Sequence, residues 1–123
     1  MRRTLLAIRN RLDGAGIILS GLCMVHCVLG AVLVGVLGLG GGALLSPAIH
    51  RVGLVLALAI GLVSLGFGVM RHGRAGPLVV GGIGLALMGT AIMAGHGLPE
   101  ALLTIAGVSL VAFAHIRNLH AAC

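Results

Sequence analysis

The sequence predicts an all-α integral membrane protein, a bundle of four antiparallel transmembrane helices with both termini in the cytoplasm. Three observations predict it. Of the 123 residues, 59 % are hydrophobic and only 8 % are charged, too little polar surface to coat a soluble domain of this size. The mean hydropathy is +1.23, and lipid is the solvent that tolerates such a chain. The chain also divides into four apolar runs, with arginines gathered at alternate boundaries.

The first run extends from Ala15 to about Leu39, the second from Val52 to Val69, the third from Pro77 to Ala94 and the fourth from Pro99 to Ile116. A span needs roughly 20 apolar residues, so the last three suit a thin bilayer or flanking arginines that reach outward. Gly40-Gly41-Gly42 and Ser46-Pro47 end the first run, because glycine is flexible and proline cannot donate. Arg71 to Arg74 divide the second from the third, and Gly95-His96-Gly97 divides the third from the fourth. Pro77 falls in a first turn, where its missing N–H is harmless. Asp13 is read as the N-cap of the first helix, and Glu100 as an electrostatic support for the N-terminus of the fourth. These boundaries give a basic cytoplasmic tail over 1–12, a four-helix domain over 13–117 and a short cytoplasmic tail over 118–123.

Orientation follows from arginine. Arg2, Arg3, Arg9 and Arg11 precede the first span, Arg71 and Arg74 follow the second, and Arg117 follows the fourth, whereas the first loop holds only Arg51. The positive-inside rule therefore places both termini and the middle loop in the cytoplasm. The run from Ala15 far exceeds a signal-peptide core of about 7–15 residues. Leu22 before Cys23 rules out a lipoprotein box, and Arg2-Arg3 lacks the rest of a twin-arginine signal. The net charge of +6 comes without Trp or Tyr, and its placement at span edges fits a bilayer partner and no nucleic acid. Small residues recur every fourth position, at Gly53, Ala57 and Gly61 and again at Gly82, Ala86, Thr90 and Ala94. Such stripes let helices pack closely in lipid.

The chemistry sits in Cys23-Met24-Val25-His26-Cys27. Positions i, i+3 and i+4 share one helix face, so two thiols and an imidazole point the same way inside a span. Thiolates select soft cations, and ionisable groups in lipid are rare and usually functional. The plain alternative is that each cysteine packs as a small hydrophobe and His26 bonds a neighbouring helix. His120 and Cys123 form a second candidate pair in the tail, with His115 five residues earlier. His50 and His96 fall on the opposite face, where they would meet an arriving cation or anchor the interface. His72, between two arginines, reads as a solvated loop residue. Three cysteines, two of them in an apolar run, do not form a secreted disulfide framework. Paired carboxylates, a nucleophile–base pair and an ATP motif are missing, so the chain is not read as an enzyme.

At these residues the chain resembles the MerC mercury-resistance family. The resemblance is carried by Asp13, the Cys23/His26/Cys27 cluster, His50, Arg71-His72, Ala114-His115 and Asn118, and runs from about Asp13 to Cys123. It implies a four-helix protein of the bacterial inner membrane that takes mercuric ion into the cytoplasm. The first-helix cysteines would bind the ion and cysteines near the C-terminus would pass it on. Cys23 and Cys27 match the membrane pair, and Cys123 matches part of the tail. Well-known mercury-resistance members space the membrane pair more closely and carry a pair in the tail. The expected metal ligands are therefore Cys23, Cys27, His26, Cys123 and His120. No tightly bound cofactor is expected, only a transported soft metal ion, and the implied partners are cytoplasmic thiols or a mercuric reductase. A zinc or copper transporter or sensor, and an accessory membrane subunit, are the alternatives.

Overall fold

The computed structural model describes residues 1–40, 42–95 and 97–121. Four helices account for most of them: α1 Arg2–Gly35, α2 Pro47–His72, α3 Gly76–Ala94 and α4 Leu98–His120. A short 3-10 turn, Gly42–Leu45, precedes α2. All four helices are long and apolar enough to cross a membrane, and the described residues contain no strand. The chain is thus a multi-pass membrane protein. Consecutive helices run antiparallel, so both termini and the α2–α3 turn lie at one end, called here the termini end. The other two connections lie at the far end.

The first helix begins thirteen residues before the apolar run does. Thr4 to Ile8 offer no breaker, so the segment expected as a basic tail forms the first turns of α1. At 34 residues, α1 is about 51 Å long at ~1.5 Å per residue, well beyond the ~30 Å hydrocarbon core. Its arginine-bearing turns project past the apolar part. Asp13 is consequently no N-cap. It lies inside α1, fully buried, with Arg9 one turn before it at 3.8 Å. The helix stops at Gly35, short of Leu39, where Gly38 turns back at φ 63°.

The other boundaries follow local chemistry. Ser46 caps α2, its hydroxyl accepting from Ala48 N–H at 3.4 Å, and Pro47 takes the first turn. Gly73 closes α2 in the left-handed region at φ 69°, which glycine adopts without a Cβ penalty. The fourth helix continues through Asn118 to His120, so the start of the expected tail is helical.

Packing relies on small residues. Ala57 and Gly61 are buried on α2, as their stripe predicts. On α3 the predicted stripe is displaced: Gly82, Ala86, Thr90 and Ala94 are exposed, and Pro77, Gly81, Gly84, Met88 and Ala91 are buried instead. The reason lies in α4. A Cβ on Gly84 would stand 2.6 Å from the Gly107 carbonyl oxygen, and a Cβ on Gly107 equally close to that of Gly84. Two bare backbones meet there, which fixes the rotation of α3. Thr90 meets its hydroxyl's need on its own helix, donating to Leu87 O at 2.8 Å. The outer faces carry large exposed apolar side chains, among them Leu22, Val25, Leu62, Ile83 and Phe113, as a lipid-facing surface requires.

Candidate metal centre

The interior face of α1 determines where ligands can gather. Its buried residues are Arg9, Asp13, Gly16, Ser20, Cys27 and Gly30, all polar or small. Helical spacing puts Cys23 beside this column, and Cys23 is half-buried while Cys27 is 6 % exposed. Both are free thiols. The two cysteines and His26 therefore share a face, and that face is turned toward α2 and α4.

The partner from α2 is His50. Its Nε2 lies 3.6 Å from Cys27 Sγ, a hydrogen bond whose direction follows the imidazole tautomer. The His50 and His26 rings meet edge to face with centroids 5.5 Å apart. Behind His50 stands Glu100 of α4, with Oε1 3.7 Å from His50 Nδ1. A carboxylate behind an imidazole fixes its orientation and raises its basicity as a ligand. Gly53 leaves space for Cys23: a Cβ there would lie 3.5 Å from the Cys23 sulfur. His26 Nε2 is buried without a hydrogen-bond partner.

Two cavities flank the cluster, one toward the far end and one reaching along α1 to Leu19. One, of about 480 Å³, is bordered by His26, Cys27, Leu45, His50, Leu98 and Glu100. The second, of about 350 Å³, reaches Cys23, Cys27, His50, Gly53, Met88 and Thr104. Among the described residues, no three His, Cys, Asp or Glu side chains stand together as a ready metal-holding group. The arrangement offers two thiols on adjacent turns with imidazoles beside them.

The structure brings together Cys23, His26 and Cys27, and it separates His120 from them. His120 is exposed at the termini end, and its Nδ1–H donates to Ile116 O at 2.8 Å. Cys123 and His96 lie outside the described residues.

A second polar assembly occupies the termini end. The Asp13 carboxylate accepts from the Ser64 hydroxyl and from His115 Nδ1–H at 2.7 Å. It also accepts from the Asn118 amide at 2.9 and 3.2 Å. His72, expected as a solvated loop residue, closes the end of α2 and joins this assembly. Arg74 N–H donates to His72 Nδ1 at 3.1 Å, so the ring proton sits on Nε2 and donates to Asn118 Oδ1 at 3.0 Å.

Asp13 and His72 were misread from sequence, and Glu100, in the first turn of α4 as expected, makes a contact with His50 that the sequence reading missed. Asp13 carried a signal: Arg9, Asp13, Gly16, Ser20, Cys23 and Cys27 follow helical spacing, so one polar column runs through them all. Glu100 carried none, since its contact with His50 depends on the crossing of α2 and α4.

A family model described as MerC mercury resistance protein matches residues 13–120. No curated protein and no solved structure matches the chain. The chain belongs to the MerC mercury resistance family.

Proposed function

From that membership we propose that the chain is a carrier of the bacterial inner membrane that takes mercuric ion into the cytoplasm. The ion is held by the Cys23 and Cys27 thiolates and released by ligand exchange. The observation that carries the reading is the pair of free thiols on one buried face of α1, opposite His50 and beside two cavities. A soft dication bound by two thiols displaces two protons and forms two metal–sulfur bonds. His50, held from behind by Glu100, supplies a third donor, and His26 lies within reach of the same space.

The direction follows from charge. Seven of the eight arginines belong to the termini end, with Arg51 alone at the far end, and positive residues favour the cytoplasmic side. The cargo then arrives through the far-end cavity and leaves toward the termini. There it passes to a thiolate, either Cys123, three residues after His120 in the sequence, or a soluble cytoplasmic thiol, and onward to a mercuric reductase. Reporter fusions at Arg74 and at the C-terminus should read cytoplasmic, and a fusion at Ser46 external. The opposite pattern would reverse the direction of transport.

A zinc or cuprous cargo is the second reading. The mixed Cys/His donor set formed by Cys27, His26 and His50 favours it, since such sets suit borderline ions. Uptake of mercuric, zinc and cuprous ions should be compared in cells expressing the wild type or the Cys23→Ser/Cys27→Ser variant. Mercuric uptake that vanishes in the variant supports the first reading. Thiol-dependent zinc or copper uptake without mercuric uptake supports the second, and uptake unchanged by the double substitution at equal expression refutes both.

A further inference from the structure

We propose that the Asp13 cluster is the inner gate of the carrier: closed, it keeps thiols at the termini end away from Cys23 and Cys27. The proposal rests on the reading that these cysteines carry the ion. It adds where the path is blocked and which residues block it.

The blockage is visible in packing. The polar column of α1 leads from Cys27 and Cys23 through Ser20 and Gly16 to Asp13. Ten residues separate Cys23 from Asp13, about 15 Å at ~1.5 Å per residue. At Asp13 three helices converge on one carboxylate, which takes donors from Ser64 of α2 and from His115 and Asn118 of α4. The side chains around it are tightly seated. The His115 ring rests on the bare backbone of Gly16, and the Asn118 amide rests on that of Gly68, so a Cβ at either glycine would overlap them. Asp13, Ser64, Leu65, His115 and Asn118 are all among the largest fully buried side chains. One described cavity lies on the far side of the thiols, and the second reaches past Cys23 only as far as Leu19, so neither is lined by Asp13, Ser64, His115 or Asn118. The molecule is therefore open toward the far end and shut toward the termini.

Release by exchange needs the opposite. An incoming thiolate must touch the metal before an outgoing one departs, so an attacker at the termini end has to pass Asp13. A polar closure suits this task. Its hydrogen bonds can be exchanged for bonds to water when helices part, whereas an apolar plug would expose apolar surface. Asp13 also keeps its Arg9 neighbour when α1 separates, because the two lie one turn apart on the same helix. Parting α1 from α4 thus leaves no lone buried charge. The His72–Asn118 bond extends the closure to the end of α2, so a single movement of α4 breaks every contact but the Ser64–Asp13 bond between α2 and α1.

The test uses full-length protein with Cys123→Ser, in membrane vesicles of both orientations, and a membrane-impermeant thiol reagent. Cys23 and Cys27 should react from the far face and resist labelling from the termini face. Asn118→Ala should raise the termini-face rate by at least about tenfold, the factor that one buried hydrogen bond is worth, since Asn118 bonds both Asp13 and His72. The far-face rate should stay as it was, which also reports an intact fold. If Asn118→Ala loses its far-face pattern, the milder Ser64→Ala decides, since it removes one hydroxyl and leaves the amide bonds in place. Equal wild-type labelling from both faces overturns the gate, as does a termini-face rate unchanged in a folded variant. A second arm loads wild type and variant with mercuric ion and adds a hydrophilic dithiol at the termini face. Faster extraction from the variant extends the gate to cargo release. If labelling changes as expected but no ion is bound, the gate stands and the cargo reading fails.

Discussion

At the termini end Asp13, Ser64, His115, Asn118 and His72 bond to one another around one carboxylate, and His115 Nε2 and Arg9 Nε are left buried without a hydrogen-bond partner. At the far end Cys23, His26, Cys27 and His50 lie beside cavities, and His26 Nε2 is buried with no partner. Both groups are polar side chains inside apolar helices, and both draw on the same face of α1. Their difference separates two roles. A network centred on one carboxylate in a low-dielectric interior joins three helices in one geometry. A cluster of free thiols and imidazoles beside cavities has coordination to offer a soft cation.

The sharpest way to break this comparison is at Asp13. Replacing it with alanine leaves Arg9 buried without its counter-charge and strands the donors of Ser64, His115 and Asn118. A loss of about 3–5 kcal/mol is expected, the cost of halving a buried ion pair. Thermal unfolding in detergent should show it, while Cys23→Ser and Cys27→Ser unfold close to wild type. Equal losses at the two ends would erase the distinction. Next in size is Gly84→Ala, which forces a methyl group against the Gly107 carbonyl. Overpacking of this kind costs about 1–3 kcal/mol. Metal binding by the folded fraction should be unaltered, because the α3–α4 contact holds no ligand.

Two smaller effects sharpen the far end. His50→Ala should weaken mercuric binding by about tenfold, and Glu100→Gln by less, as expected when a ligand and then its orienting partner are removed. Isothermal competition against a thiol chelator measures both, and a larger effect from Glu100 than from His50 would reverse their roles. The smallest effect belongs to His120. His120→Ala should leave binding at the membrane pair unchanged, since its ring is bonded to its own helix at the opposite end. A drop in affinity there would mean that the tail folds back to the thiols.

Much of this was legible in the sequence. Four apolar runs broken by Gly-Gly-Gly, Arg-His-Gly-Arg and Gly-His-Gly announce four spans, because composition alone decides what lipid accepts. Cys23, His26 and Cys27 are legible as one face because a helix fixes their phase. The start of α1 was not, since a charged Asp13 after four arginines looks like an interface until α2 and α4 supply its partners. The rotation of α3 was equally hidden. Its glycines and alanines form two offset stripes, and only the approach of Gly107 selects between them. His50 against Cys27, and Glu100 behind His50, depend on how three helices cross, which no single-helix pattern contains.

The central claim is that the thiols on α1 hold the ion. It is tested most directly by equilibrium binding of mercuric ion to purified protein, with Cys123→Ser as the background so that only Cys23 and Cys27 remain. In that background the account predicts one ion per chain, bound through two sulfur atoms by X-ray absorption. It predicts loss of that ion when Cys23 and Cys27 are both serine, with the unfolding temperature unchanged. Retention of a tightly bound ion in the folded, thiol-free protein would contradict it.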